Sequence, residues 1–109
     1  MDRFLSVNEL AKAEETTARA IRLYIDKGLL EPMRIGHILC FPEQARQSLK
    51  KILRAKRLGF SLEEIRAYQA RPDTTAMVAA LNRIELLISD AEIEASEIRH
   101  CLNQPLKRK

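Results

Sequence analysis

Arg19 and Arg22, three residues apart, are the side chains here best suited to recognition chemistry. On a helix that spacing puts both on one side, where a guanidinium can grip a phosphate or the paired acceptors of guanine. Other reactive residues are sparse. Cys40 and Cys101 lie far apart without CxxC spacing, which argues against a disulfide scaffold and fits a reducing cytosol. His100-Cys101 is the nearest approach to a metal site. One Cys with one His falls short of a closed ligand set unless a second copy contributes, and Cys101 also reads as a small apolar residue beside a helix seam. There is no Gly-rich phosphate loop, no nucleophile–base pairing, and no carboxylate pair outside caps and exposed helix faces. We therefore expect no enzyme, no cofactor and no resident metal.

The 109 residues allow one modest domain and at most one further element. Net charge is +4 but unevenly placed: residues 1–72 carry 14 Lys/Arg against 9 Asp/Glu, residues 73–106 carry 2 against 6, and Lys107-Arg108-Lys109 closes the chain. The front permits a polyanionic partner and the back is a different kind of object. "MDRFLSVNEL" lacks a long apolar run, so no signal peptide or membrane span is expected and the reading is a cytoplasmic protein with no membrane partner.

The elements that must hold the two arginines begin with Ser6-Val7-Asn8-Glu9, a capping box opening a short helix to about Ala13, with Val7, Leu10 and Ala11 on one side. After a break at Glu14-Glu15, Thr16 or Thr17 can cap a second helix to about Lys27, stopped by Gly28, with Leu29 and Leu30 turned inward. Ala18, Ile21 and Ile25 share its inner face; Arg19, Arg22, Leu23 and Asp26 lie toward the other. Two short helices and a tight turn make a helix-turn-helix candidate. A solvated helix face is the plainer account of those charges taken alone.

Glu31-Pro32 ends helical sequence until Pro42. Between them, Gly36-His37 is a Gly-X pair flanked by Arg34-Ile35 and Ile38-Leu39, the composition of a type II′ hairpin. Arg34 and His37 should point outward, with Ile35 and Ile38 or Cys40 against the domain. Pro42 suits the first position of a third helix over 42–58, with Ala45, Leu49, Ile52 and Leu53 as its core stripe and Arg46, Lys50, Lys51, Arg54, Lys56 and Arg57 elsewhere. Gly59 ends it. Ser61-Leu62-Glu63-Glu64 is a second capping box, opening a helix to about Ala70 before Arg71-Pro72.

From Asp73 one helix runs to about Asn103, stopped by Pro105. Leu81, Ile84, Ile88, Ala91, Ala95, Ile98 and Leu102 alternate spacings of three and four, a heptad seam. At roughly 45 Å it is too long for so small a domain to cover, so a second copy of the chain is the expected partner.

Taken in order, "SVNELAK", "ARAIRLYIDKGLLEP", a short hairpin, a basic helix, "LGFSLEEI" and a coiled-coil helix resemble the mercury-resistance-regulator (MerR) family of bacterial transcription regulators. The likeness covers residues 5–70 motif by motif and 73–103 by architecture. It implies a mainly α fold: a winged helix-turn-helix with a β-hairpin wing, a helix pair as second wing, and a long helix pairing antiparallel with its twin. It also implies a homodimer that binds a pseudo-palindromic double-stranded promoter and bends or untwists it, with RNA polymerase as a further partner.

By that resemblance Thr17 matches the Ser opening the recognition helix, Arg19 and Arg22 the two arginines there, and Tyr24 the second member of "RYY". Gly28-Leu29-Leu30 and Pro32 match "GLL-x-P", and Phe41 replaces the wing's last Tyr. Three departures matter. Leu23 replaces a phosphate-donating Tyr. Glu15 stands where the turn usually has Gly, costing roughly 1–2 kcal/mol if φ is positive. The wing is shorter and lacks the Arg of "GYRxY", leaving Arg34, His37 and the basic third helix, with Lys56, as substitute clamps. Weaker or partner-assisted DNA binding is the expectation. So is a short form without an effector domain, divided into a DNA-binding domain (1–72), a dimerisation helix (73–103) and a basic tail (104–109).

The leading reading is a homodimeric, sequence-specific DNA-binding regulator. The second is a protein-interaction adaptor on the same scaffold, the shape that small chaperone-modulator proteins resemble. The apolar wing, Leu23 and the acidic long helix favour the adaptor; Arg19, Arg22 and the basic third helix oppose it.

Overall fold

Strand β1 (Phe4–Ser6) runs directly into helix α1 (Val7–Ala13), and Ser6 is where one becomes the other. Its Oγ accepts from the Glu9 backbone N–H at 3.1 Å while its own N–H donates to Glu9 Oε1 at 2.9 Å, the reciprocal box read from the sequence. That backbone N–H first, then the Ser6 hydroxyl and the nearby Arg3, holds the Glu9 carboxyl below its ordinary 4.5. The computed structural model describes residues 3–70 and 73–105. The chain divides into two compact units, Met1–Pro72 and Asp73–Lys109. The expected break at Arg71-Pro72 and the Lys107-Arg108-Lys109 tail lie outside the described residues.

In the first unit α1 is followed by α2 (Ala18–Asp26), strands β2 (Met33–Ile35) and β3 (Ile38–Pro42), and helices α3 (Gln44–Arg57) and α4 (Leu62–Ala70). Helices α1, α2 and α3 end alike. Behind α2, Gly28 at φ +77° lets its N–H reach the Ile25 carbonyl at 3.0 Å while Leu29 N–H donates to Tyr24 O at 2.8 Å. Behind α3, Gly59 at φ +93° does the same with Lys56, and Phe60 with Ala55. Behind α1 the left-handed position is Glu15, at φ +54°, with Thr16 N–H on Ala11 O at 2.9 Å. Each is a Schellman closure, and the first one is made without glycine.

The core draws on every element of the first unit except β2, whose three residues are exposed. Leu10, Ile21, Phe41, Leu49 and Ile52 are fully buried, joined by Leu5, Val7, Ala11, Tyr24, Leu29, Leu30 and Ile65. The inward residues read for α1, α2 and α3 are therefore inside or packed against it, with Ala18, Ile25, Ala45 and Leu53 at its edge. At about 1.5–3 kcal/mol per fully buried large side chain, these five carry much of the unit's stability.

The sheet corrects the sequence reading in three places. β1 was not foreseen, yet it pairs antiparallel with β3, giving the order β1-β3-β2 with Leu5 opposite Phe41 and Ile35 opposite Ile38. Pro42 closes β3 opposite Phe4 rather than opening the third helix, and α3 starts after Glu43, which provides no side-chain cap. Proline fits that strand end because its missing N–H leaves no ladder bond unmade. Ile35 and Ile38 do not lie against the domain: they are 61% and 67% exposed, while Cys40, the alternative to Ile38 in that reading, and Phe41 are buried and Leu39 is half-buried.

One ion pair fastens the helix-turn-helix to the rest. Glu14 Oε2 accepts from Arg46 Nε at 2.8 Å, and Arg46 Nη1 also donates to Glu43 Oε1 at 3.1 Å. The Glu14 bond, then the Glu43 bond, holds the Arg46 guanidinium above its ordinary pKa. The Glu14 side chain is 6% exposed, so this carboxylate works inside the fold.

The second unit is helix α5 (Thr74–Asn103), capped by Asp73 Oδ1 accepting from Ala76 N–H at 2.6 Å. None of its residues is buried. Leu81, Ile88, Ile98 and Leu102 of the seam are more than half exposed, and Ile84 and Ala95 are half-buried.

Candidate nucleic-acid interface

Helix α2 presents Arg19 and Arg22 because its opposite side is consumed by the core: Ile21 is fully buried and Tyr24 is 7% exposed. Thr17 sets where the helix begins. It sits in extended backbone (φ −116°, ψ 155°) and its Oγ1 accepts from Ala20 N–H at 3.0 Å. The hydroxyl proton is left to donate outward, beside the partial positive charge of the helix N-terminus. Arg19, Arg22, Leu23 and Asp26 are exposed, and Leu23 interrupts the polar face at 43% exposure.

The hairpin supplies a second group. Gly36 has φ +65° and His37 has no positive φ, which is what a type II′ turn asks of its two central residues. Arg34, opposite Leu39, and His37 are exposed. A third group is on α3, where exposed Lys50, Lys51, Arg54 and Arg57 share one side and Lys56, also exposed, lies in the last turn in line with Leu49 and Ile52. Arg46 does not belong to it, because Glu14 and Glu43 already hold its guanidinium. Among the described residues, Arg19, Arg22, Arg34 and Lys56 form no salt bridge.

Thr17, Arg19 and Arg22 thus share one helix, Arg34 and His37 one hairpin, and Lys56 a third element of the same unit. Tyr24 stands apart: its side chain is in the core and its carbonyl accepts from Leu29 and Leu30, so the structure gives it a packing role. The seam residues Leu81, Ile84, Ile88, Ala91, Ala95, Ile98 and Leu102 belong to the other unit. There, His100 Nε2 meets Gln104 Nε2 at 2.8 Å and Cys101 is exposed. Sequence reasoning missed the two isoleucines at the wing tip. Inward Phe41 and Leu39 set the parity of β3 and were the available clue.

The model of the MerR HTH regulatory protein family matches residues 5–71, most of the first unit. The HTH-type transcriptional regulator CueR of Vibrio cholerae serotype O1 is 37% identical over 65 residues, 58% of this chain and 47% of that one. The chain thus spans about half the length of the curated relatives it matches. A MerR family transcriptional regulator from Bacillus cereus superposes with a TM-score of 0.66 at 26% identity, covering 91% of this chain and 78% of that one. HiNmlR, described as a MerR family regulator lacking the sensor domain and bound to promoter DNA, has a TM-score of 0.74 at 15% identity, covering 92% and 88%. The last is a likeness of fold.

Proposed function

This chain belongs to the MerR family of HTH regulatory proteins, and on that premise we propose that it is a sequence-specific DNA-binding regulator acting as a homodimer on a pseudo-palindromic promoter. The observation carrying this is α2: one face locked into the core, the other offering Arg19 and Arg22, which form no salt bridge among the described residues, and Thr17 fixing its first turn. In the reading, the two arginines address base edges or phosphates in the major groove. Thr17, Arg34, His37 and Lys56 hold phosphates, and Tyr24 acts from the core by setting the helix. Residues 1–72 are the DNA-binding domain, 73–103 the dimerisation helix and 104–109 a basic tail. RNA polymerase on the same promoter is the second macromolecular partner.

The dimer is proposed because α5 buries none of its seam and exposes most of it. An antiparallel pair placing Ile84 against Ala95 and Ile88 against Ala91 alternates large with small side chains across the central layers, as knobs-into-holes packing favours. Two recognition helices at fixed separation then demand an inverted repeat, and distortion of its uncontacted centre adds selectivity through deformability.

Selection from random duplexes, then a salt titration of the winner, tests this. An inverted repeat and a steep fall of affinity with salt are expected. Arg19→Ala/Arg22→Ala should weaken binding at least about thirtyfold, from roughly 1–3 kcal/mol per bidentate contact. No enriched sequence, or a double variant binding like the parent, refutes the reading. The exposed Ile35, Ile38 and Leu23 favour the adaptor instead; that protein would enrich no duplex.

A further inference from the structure

The two most exposed large apolar side chains of the hairpin are isoleucines, at 61% and 67%, and they face each other directly across β2 and β3. Met33, 47% exposed, and Cys40 occupy the same face of the ribbon by strand alternation. That face is buried at its base, where the Cys40 Sγ donates to the Met33 carbonyl at 3.6 Å, and overhangs the domain at its tip. Arg34 alternates to the other face and His37 completes the turn, both exposed. An apolar point is therefore carried beside one arginine and one imidazole, in a unit with 14 Lys/Arg against 9 Asp/Glu.

We propose that this hairpin tip is an apolar wedge for the DNA minor groove, with Ile35 and Ile38 pressing a base-pair step open and Arg34 and His37 holding the flanking phosphates. The proposal rests on the DNA-binding reading above and adds a distinct point of engagement. Charge complementarity selects the occupant: a polyanion satisfies the arginine and imidazole while its stacked bases offer the one apolar surface next to phosphate. Two strands about 5 Å apart, plus side chains, exceed a groove about 6 Å wide, so the tip enters only where the groove opens. Apolar side chains open it by partial unstacking and kink the duplex away from themselves. The wing arginine missing from this chain would then be replaced by a different kind of grip.

The test uses the full chain on its selected duplex, with 2-aminopurine stepped through the positions flanking each half-site and a donor–acceptor dye pair on the duplex ends. Parent protein should raise 2-aminopurine fluorescence at one step per half-site and shorten the end-to-end distance. Ile35→Thr/Ile38→Thr keeps β-branching, and hence the strand pair, but removes the apolar tip. It should enrich the same sequence, bind about tenfold more weakly, and lose the fluorescence rise and most of the bend. The chain has no tryptophan, so Ile38→Trp is a sole reporter whose emission should be quenched by stacking on bases. A flat 2-aminopurine scan with parent protein, an unquenched Trp, or a Thr variant that bends DNA like the parent overturns the wedge alone and leaves the tip as a protein-docking surface. A parent that enriches no duplex overturns both readings together.

Discussion

Replacing Glu15 with glycine should stabilise the first unit, and the three helix endings supply the reasoning. Glu15, Gly28 and Gly59 occupy the same left-handed position behind α1, α2 and α3, at φ +54°, +77° and +93°. Only the first has a Cβ to clash there, at about 1–2 kcal/mol. Glycine returns part of that gain, about 0.5–1 kcal/mol, through the freedom of its unfolded chain. Little else changes: Glu15 is exposed and forms no salt bridge among the described residues, and an anion behind a helix C-terminus is mildly unfavourable. The net gain is about 0.5–1 kcal/mol, or roughly 3–6 °C in Tm for a unit this size. Urea unfolding followed by circular dichroism at fixed protein concentration should show a higher midpoint with the same slope. An unchanged or lower midpoint would mean that the turn is unstrained and that the comparison of the three closures is mistaken.

Gly28→Ala is the converse: its Cβ would carry the left-handed penalty and lie 3.3 Å from Arg66 Nε, so a loss of about 1–2 kcal/mol is expected in the same assay. Ile88→Lys, in the middle of the seam, should lower the mass in sedimentation equilibrium to the 12.5 kDa of one chain while leaving the helical signal of the first unit intact. The Glu9 carboxylate, held below its ordinary 4.5 by Ser6, adds stability that is full above pH 4.5 and is lost as the pH falls through its depressed pKa. Acid titration of Glu9→Gln should lack that component, and an identical acid limb in both proteins would count against it.

Local chemistry made most of the helices legible. Ser6/Glu9, Thr17, Ser61/Glu64 and Asp73 each satisfy N–H groups within three residues, so their signals are contiguous in sequence. β1 was not legible because three residues carry no period, and its reason for being a strand is β3, far along the chain. Pro42 misled for the same cause: its compatibility with a helix start is local, whereas its pairing with Phe4 is not. Arg46 read as one cation among six, since only the fold brings Glu14 to it. At the site, the helical spacing of Arg19 and Arg22 foretold their shared exposure, but the burial of Tyr24 and the overhang of Ile35 and Ile38 depend on which neighbours cover them.

The position of β1 has a consequence for the order in which the molecule assembles. Helices α1 and α2 can form and dock from contacts close in sequence, on the microsecond scale. Pairing Leu5 with Phe41 instead closes a long loop, at an entropic cost on the order of 3 kcal/mol that no neighbouring contact offsets in advance. The hairpin is therefore framed late, and its amides should exchange with solvent through openings that begin at Phe4–Ser6, the far end of the sheet from the tip.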